Sequence, residues 1–512
     1  MKNKRILFLA LFALTLAGCR QTTPSSSVDP SLTSEVSVTS EDVTSEDVTS
    51  DPITSEEESS SQIEVPHGTR KLNFFGLNDF HGAVSETTSE PGIFKISSYL
   101  KDRYASNEGG TVLLNAGDFW QGSADSNINR GQFLTRAMNE LDAAAMALGN
   151  HEFDWFDTAI KHNSTLANYP FLGANIFEKA TGELAKELVH YDDTFKASTM
   201  ITRNDVKIGI VGTIGHSLES SILATAVAPY SFELPEPFIR AEVNNLRAKG
   251  AHVIALITHD SLVNGAGVYS KIFSDRLVDL VFSGHAHISD NQRINGIPVL
   301  QTNGNGKQVM EVEGTYNFDL QTFTVDQTRL ESASYIKGTY SEDVGMRTLF
   351  SEYEAEINTV KNEVVGSLSS EISKSGLANL ANQKMHTYAT DKGYPNVVAV
   401  HNTGGVRVDE IEAGDVTYGQ IYQAFPFDNE VMVVENLSGY TLKQFIRNNP
   451  HYSSDGGIIN DTKTYTLVTI DFLSVSEYSV VKDMTQIHTG EYVRELIADH
   501  FRNVGVVNGS SY

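Results

Sequence analysis

The sequence predicts a layered α/β domain, followed by a long helix and a second folded domain. Three observations support this prediction. Between residues 70 and about 335, short apolar runs typical of strands alternate with amphipathic stretches at helical spacing. Residues 341–365 combine helix-forming composition with apolar residues at helical spacing. Strand-like runs resume at about residue 366, and a chain of 512 residues has room for two or three domains.

The predicted elements define the domain boundaries. The strands of the first domain are Leu72–Leu77, Thr111–Asn115, Ala143–Leu148, Ile208–Gly212, Val253–Ile257 and Val278–Ser283. Helices between them are predicted at Ile93–Tyr104, Gly131–Leu141 and Pro237–Ala248. Strands of the second domain are predicted at Val397–His401, Glu430–Asn436 and Thr464–Ile470. We therefore assign the first domain to 67–340, a linker helix with a Ser341 cap to 341–365, and the second domain to 366–512.

The first 19 residues are predicted to be a lipoprotein signal peptide. Three basic residues among the first five precede Ile6–Leu16, an apolar run of eleven residues. This run is too short to span a bilayer comfortably, because a spanning helix needs about 20 residues. The following Leu16-Ala17-Gly18-Cys19 resembles the lipobox of bacterial lipoproteins, in which the Cys is lipidated. We expect secretion and attachment through Cys19 to the outer face of a bacterial membrane; a plain signal peptide with an incidental Cys is the alternative.

Residues 20–66 are predicted to be a disordered acidic tether rich in Ser and Thr. Between Thr22 and Glu64 there are eleven Asp or Glu residues and no Lys or Arg. Such a segment cannot bury enough apolar surface to offset the entropy lost on ordering. Repulsion between its carboxylates would also extend it away from an anionic membrane.

The net charge of the chain limits the classes of molecule that it is expected to bind. There are 38 Lys and Arg residues against 65 Asp and Glu, which gives a formal net charge of −27. Binding to nucleic-acid polymers depends on clustered basic residues, so the composition argues against that partner. A small phosphorylated substrate is not excluded, because bound cations can invert the local field.

Short polar motifs follow five strand-like runs of the first domain. They are Asn78-Asp79-Phe80-His81-Gly82, Ala116-Gly117-Asp118, Gly149-Asn150-His151-Glu152-Phe153-Asp154, Thr258-His259-Asp260 and Ser283-Gly284-His285-Ala286-His287. Ligands of open α/β sheets gather beyond the carboxyl ends of the strands, so these motifs are expected to converge. Carboxylate, amide and imidazole groups suit Zn, Mn or Fe. One carboxylate can also bridge two cations about 3.5–4 Å apart.

Each motif alone has an ordinary explanation. An isolated Asp-x-His is usually a surface pair, Asn150 fits a turn, and His259 fits a core histidine. The five motifs together, each after a strand, favour a metal centre. Alternate residues of an extended segment share a face. We therefore expect the side chains of Asp79 and His81 to point to the same side, and likewise those of His285 and His287.

These blocks resemble the calcineurin-like metallophosphoesterase fold and, in order and spacing, the 5′-nucleotidase/UDP-sugar hydrolase family, over about residues 70–505. The resemblance implies a four-layer α/β/β/α metallophosphoesterase domain plus a second α+β substrate-binding domain, joined by the long helix. It also implies two divalent transition-metal ions, which are Zn, Mn or Fe. By motif, Asp79, His81 and His287 would hold one ion, Asn150, His259 and His285 the other, and Asp118 would bridge them.

The resemblance assigns catalytic roles to His151 and Asp154. A protonated His151, oriented by Asp154, would stabilise charge on the transferred phosphoryl group or on its leaving oxygen. The alternative is that Asp154 caps the next helix.

Two blocks of the second domain resemble the family's substrate-binding segments. Asn402, Gly404, Gly405 and Arg407 belong to the first block, in which the arginine would grip phosphate or carboxylate in a bidentate fork and the asparagine would bond the base. In the second block, Phe427 would stack on a nucleobase. By themselves these are a Gly-Gly turn with a chance arginine and a core Phe beside a proline.

The chain departs from the family at the second aromatic. The usual Gly-Gly-Asp-Gly-aromatic turn is absent, and the segment Asp471–Ser479 replaces it. Tyr478 is the candidate for the second aromatic face, on a loop that must take another path. The choice of base and sugar therefore stays open.

The favoured function is extracellular hydrolysis of phosphate esters, with nucleoside monophosphates as substrates and UDP-sugars or 2′,3′-cyclic nucleotides as further candidates. The expected partners are a small nucleotide and a membrane, the latter through the N-terminal lipid only; the oligomeric state is left open. One alternative is a non-catalytic surface binding or adhesion protein on this fold. A second is the hydrolysis of a sulfur-containing ester.

Overall fold

The computed structural model describes residues 66–188, 195–447, 449–454 and 456–512. The predicted signal peptide, Cys19 and almost all of the predicted tether lie outside the described residues. Within these ranges, no helix combines the length and apolar character that crossing a bilayer requires.

A large mixed sheet forms one inner layer of the first domain. In spatial order its strands are Thr322–Ser332, Gln308–Asn317, Thr69–Leu77, Thr111–Asn115, Ala143–Ala147, Phe171–Leu172 and Phe195–Lys196. The three central strands run parallel to one another. They are apolar and almost entirely buried, as expected for parallel strands covered on both faces.

A second mixed sheet forms the other inner layer. Its strands, in spatial order, are Asp290–Ile294, Ile297–Gln301, Leu280–Ser283, Val253–His259, Val206–Ile214 and Ser198–Arg203. The central strands are again parallel. The predicted strands of the first domain are therefore all present, with ends that differ by a few residues.

The two sheets pack face to face, and helices cover their outer faces. Buried side chains between the sheets include Phe74, Leu114, Ile210, Ile257 and Phe282. The first sheet is covered by Gly92–Ala105, Gln132–Glu140 and Phe156–Leu166. The second is covered by Pro235–Ala248 and Ser270–Ser274. This α/β/β/α order confirms the predicted fold class of the first domain.

The linker helix runs over Val344–Lys361. Its cap is Asp343 and not Ser341, because the Asp343 carboxylate accepts two backbone N–H groups of the first turn. Leu349 and Phe350 of this helix are buried in the core of the first domain. The helix is thus part of the first domain's outer layer as well as its connection to the second.

The second domain mixes strands and helices, as the α+β prediction requires. Its larger sheet contains His451–Ser453, Val397–Val400, Thr464–Ile470, Glu430–Ser438 and Ile487–Tyr492, in that spatial order. A smaller sheet contains Gly414–Thr417, Val364–Ser370 and Val506–Asn508. The main helices are Lys374–Asp391, Tyr418–Ala424, Gly439–Ile446 and Val493–Val504.

Candidate active site

One group of potential metal ligands lies beyond the central strands of both sheets of the first domain. Ligand atoms of Asp79, His81 and His287 all lie within 4.8 Å of one another. The Nε2 atom of His287 lies 3.0 Å from His81 Nε2 and 3.2 Å from Asp79 Oδ1. Asp79 follows the strand Thr69–Leu77, whereas His287 follows Leu280–Ser283, so the strand exits converge as predicted.

A second group adjoins the first. Ligand atoms of Asp118, His259 and His285 also lie within 4.8 Å of one another. Asn150 belongs to the same group, because its Oδ1 atom lies 3.2 Å from His259 Nε2 and 3.1 Å from His285 Nδ1. Asp118 Oδ2 lies 3.0 Å from His259 Nε2 and 4.0 Å from His81 Nε2, which places this carboxylate between the two groups.

The backbone at these ligands is unusual. Asp79 (φ 48°), His81 (φ 48°), Asp118 (φ 54°), His285 (φ 75°) and His287 (φ 54°) all have left-handed conformations. Residues other than glycine seldom adopt such angles, and those that do cluster at functional sites. The paired ligands therefore share a site because the chain turns at each of them, and the expectation of an extended Asp79–His81 and His285–His287 segment is wrong.

Hydrogen bonds to main-chain carbonyl groups orient two of the imidazoles. His81 Nδ1 lies 2.9 Å from the carbonyl oxygen of Gln121, and His259 Nδ1 lies 2.8 Å from that of Ala116. Because a carbonyl oxygen can only accept a hydrogen bond, Nδ1 carries a proton in both residues, and Nε2 is the atom that faces the ligand groups.

Close approach of the chain explains one of the motif glycines. A Cβ atom on Gly117 (φ 89°) would lie 2.7 Å from the backbone nitrogen of Gly149 and 2.8 Å from His259 Nδ1. Neither neighbour can retreat without moving a metal-ligand loop. The Gly before Asp118 is therefore needed for the second ligand group to assemble.

The electrostatic setting favours the charged form of both carboxylates. Burial would raise the pKa of Asp118, but His259 and His151 outweigh it and hold that pKa well below its usual range. Burial likewise opposes ionisation of Asp79, yet His287 and His259 lower its pKa on balance. Carboxylates bind cations in this deprotonated form.

The residues fit a pair of divalent cations. Each group offers carboxylate oxygen and imidazole nitrogen within a few ångströms, a donor set that suits Zn, Mn or Fe. The prediction of two metal sites built from Asp and His residues is thereby confirmed, whereas the identity of the metal stays open.

Glu152 is a site residue whose role the sequence did not reveal. It is fully buried, and its carboxylate accepts the backbone N–H groups of Asp118, Phe119 and Gly149, each at 2.8 Å. Burial and the nearby Asp118 raise its pKa to about 7. Glu152 thus ties the exits of two strands to each other and fixes the backbone that carries Asp118.

Glu152→Gln is expected to lower metal affinity by about 10- to 100-fold, the loss typical when an outer partner of a metal ligand is removed. The amide NH₂ of glutamine is a donor, so it would face a backbone N–H group whose hydrogen bond the Glu152 carboxylate now accepts, and that bond would be lost. Calorimetric titration with Zn or Mn measures the effect. Glu354→Gln, on the exposed face of the linker helix, is the matched control; equal affinities for the two variants would contradict this role.

His151 and Asp154 form the predicted pair. His151 Nδ1 lies 2.7 Å from Asp154 Oδ2, and the His151 backbone N–H donates to Asp118 Oδ1 at 2.8 Å. Burial lowers the pKa of His151, but Asp154 and Asp118 outweigh it and raise that pKa above its usual value. The next helix has Trp155 at its N-cap and no side-chain cap, so Asp154 orients His151 instead of capping.

A cleft of about 280 Å³ connects this pair to the second domain. The second-domain residues singled out by sequence line it, apart from Tyr478: Asn402, Gly404, Gly405, Arg407 and Phe427. The centre of the Phe427 ring lies 5.5 Å from the centre of the His151 ring, and the two ring planes are tilted by 30°. Arg407 also lines an adjoining cavity of about 380 Å³ together with His81, His287 and Lys374.

Tyr478 lies elsewhere. Its side chain is 78% exposed and does not line the cleft, whereas Phe472 does. After the strand Thr464–Ile470 the chain turns at once into the short helix Asp471–Ser474, which places Phe472 beside the cleft. Phe472 is therefore the aromatic side chain of the segment Asp471–Ser479 that lines the cleft, in place of Tyr478.

Two polar side chains that line the cleft have buried atoms without a hydrogen-bond partner among the described residues. Gln121 is 1% exposed, and within the described part of the chain its amide oxygen and nitrogen have no partner. The same holds for Asn402 Oδ1. Buried polar atoms are nearly always paired, so these atoms mark positions where a polar ligand would bind.

The fold and the two ligand groups together define a metal-dependent phosphoesterase. Comparison with known families agrees: residues 72–289 match the calcineurin-like phosphoesterase family, and residues 356–458 match the 5′-nucleotidase C-terminal domain. In both of its domains the chain is therefore similar to the two-domain metallophosphoesterases that carry a 5′-nucleotidase C-terminal domain, and the resemblance seen in its motifs is confirmed.

Individual proteins are similar to this chain over most of its length, and a solved structure shares its fold. The protein UshA of Salmonella pullorum is 24% identical over 448 residues, which cover 76% of this chain and 78% of UshA. The 5′-nucleotidase of Homo sapiens is 24% identical over 463 residues, covering 82% and 76% of the two chains. The crystal structure of a 5′-nucleotidase precursor from Thermus thermophilus superposes with a TM-score of 0.72 at 20% identity, covering 86% of this chain and 97% of that one.

Proposed function

We propose that this phosphoesterase releases phosphate from nucleoside 5′-monophosphates. The observation that carries the proposal is the position of Phe427, whose ring lies next to the His151 ring on the wall of a cleft that begins at the ligand groups. A phosphate next to the ligand groups would leave the attached nucleoside between the two domains. The similarity to 5′-nucleotidases supports this substrate class.

Bound divalent cations would supply the positive charge and the activated water of two-metal hydrolysis. The residues of the chain perform the remaining tasks. Arg407, which lines both cavities beside the ligand groups, grips the phosphate oxygens from the second domain. Gln121 and Asn402 offer unpaired polar atoms to the same substrate.

His151 holds a proton at the reacting centre. The Nδ1–H group of His151 donates a hydrogen bond to the Asp154 carboxylate, which leaves the Nε2–H group for the substrate. This proton stabilises charge on the phosphoryl group or is donated to the leaving oxygen. The ester oxygen then departs as the 5′-hydroxyl of the nucleoside.

The base is expected to stack against Phe427 and Phe472. Phe472→Ala should raise KM for AMP about tenfold, because stacking contributes about 1–3 kcal/mol per base. Tyr478→Ala is the matched comparison and should leave KM within about twofold, because this side chain is 78% exposed outside the cleft. A larger effect of Tyr478→Ala than of Phe472→Ala would contradict this arrangement.

A screen of ester hydrolysis, in which chromatography identifies the products of each substrate, tests the proposal. The substrates are the nucleoside monophosphates, UDP-glucose, a 2′,3′-cyclic nucleotide, ribose 5-phosphate, an aryl phosphate and a sulfur-containing ester. We expect the highest kcat/KM with a nucleoside monophosphate and complete loss of activity with a chelator. Equal rates with AMP and ribose 5-phosphate would refute a nucleotidase, and no turnover of any ester would favour a binding protein.

We further propose that the enzyme acts outside the cell, tethered by a lipid on Cys19. The motif at residues 16–19 and the acidic segment after it support this location. Membrane and medium fractions of expressing cells, with and without Cys19→Ser, provide the test. Activity that stays in the membrane fraction of the Cys19→Ser strain would remove the anchor proposal.

A further inference from the structure

The segment that carries Phe427 is held from two sides. Asn127 of the first domain donates to the Pro426 carbonyl at 3.0 Å, and Arg130 of the same domain pairs with Asp428 at 3.0 Å. The other side is held within the second domain by Arg494, near the start of the helix Val493–Val504. The position of the Phe427 ring therefore depends on contacts of the carbonyl groups of residues 425–427 and of the Asp428 carboxylate.

Arg494 makes a dense set of contacts with this segment. Its Nη1 atom donates to the carbonyl oxygens of Phe425 at 3.1 Å and Phe427 at 3.3 Å, and its Nη2 atom donates to Asp428 Oδ1 at 2.8 Å. The guanidinium also lies 3.8 Å from the centre of the Tyr422 ring. One side chain thus fixes the carbonyl groups of Phe425 and Phe427 and the carboxylate of Asp428.

Only an arginine can make this set of contacts. Arg494 is 7% exposed, so its charge needs a partner, which Asp428 provides. The planar guanidinium reaches the carbonyl groups with one nitrogen and the carboxylate with another, whereas a lysine ammonium is a single point of charge. The lysine could keep the ion pair but not the bonds to the carbonyls.

We propose that Arg494 is a positioning residue that sets the preference for nucleotides by holding Phe427 in place against the base. The inference rests on the proposed function, because it assumes that Phe427 stacks on a nucleobase. Arg494 does not line the cleft itself, so its influence on the substrate passes through the 425–428 segment.

The test compares two substrates that differ only in the base. R494K should lower kcat/KM for AMP about tenfold through KM and leave kcat/KM for ribose 5-phosphate within about twofold, because the latter has no base to stack. R502K is the matched control, since Arg502 lies on the same helix but forms exposed ion pairs with Glu363 and Asp499. Thermal unfolding of each variant reports whether it is folded.

A double-mutant cycle with F427A completes the test. If Arg494 acts through Phe427, R494K should not change the AMP to ribose 5-phosphate ratio further in the F427A background. An equal loss for both substrates, an unchanged ratio in R494K, or a further loss of ratio in F427A would each overturn the inference. A wild type without preference for AMP would overturn the proposed function itself, and this inference with it.

Discussion

Asp118→Asn is expected to reduce kcat for phosphate release by at least about a thousandfold, which corresponds to about 4 kcal/mol of lost transition-state stabilisation. Asp118 is 1% exposed and lies between the two ligand groups, 3.0 Å from His259 and 4.0 Å from His81. An amide has one oxygen and no charge, so it cannot serve two cations. The variant should also bind fewer than two equivalents of metal, measured by elemental analysis after dialysis.

Two measurements separate loss of chemistry from loss of folding in this variant. Adenosine binding depends on the second domain, so its Kd should stay close to the wild-type value. Asp326→Asn, on an exposed edge strand of the first domain, is the matched control and should retain turnover. Asp118→Asn with two bound metals and near-normal kcat would show that this carboxylate does not link the two groups.

His151→Gln is expected to lower kcat for AMP by about 10²- to 10⁴-fold with little change in KM, which is the range for losing a positioned general acid. His151 contacts Asp154 and lies beside the cleft without belonging to either ligand group, so metal content should be unchanged. Asp154→Asn should cause a smaller loss, because the imidazole stays in place but loses its orienting partner.

The leaving group distinguishes the two possible uses of the His151 proton. A nitrophenolate leaves without protonation, so proton donation predicts a much smaller loss for p-nitrophenyl phosphate than for AMP. Stabilisation of the phosphoryl group predicts the same loss for both substrates. His162→Gln, an exposed residue on the following helix, serves as control; wild-type kcat in His151→Gln would exclude both roles.

The metal ligands could be predicted from the sequence because each of them stands at or near the end of an apolar strand. A parallel strand buried on both faces has a continuous apolar sequence, and a polar ligand at or just beyond its end is easily seen, as at Asp118 and His259. The same reasoning failed for the local conformation. Left-handed angles at Asp79 and His285 depend on the loops packed around them, and no periodic pattern encodes them.

The substrate cleft was predicted less completely. Phe427 and Arg407 stand in recognisable blocks, whereas Phe472 lies in the segment where the chain departs from the family. Tyr478 was the more obvious aromatic by sequence position. Tyr478 is exposed because the part of this segment beside the cleft is the short helix Asp471–Ser474, and Tyr478 follows that helix.

The sequence by itself determined the succession of strands, the donor atoms for two cations and the order of the two domains, because these depend on residue type and on periodicity along the chain. Only the tertiary structure decided which side chains support the site. Glu152 binds backbone groups 33 and 34 residues away, and Arg494 binds carbonyl groups 67 and 69 residues away. Such contacts arise from packing between distant segments, and nothing in the local sequence of either residue reports them.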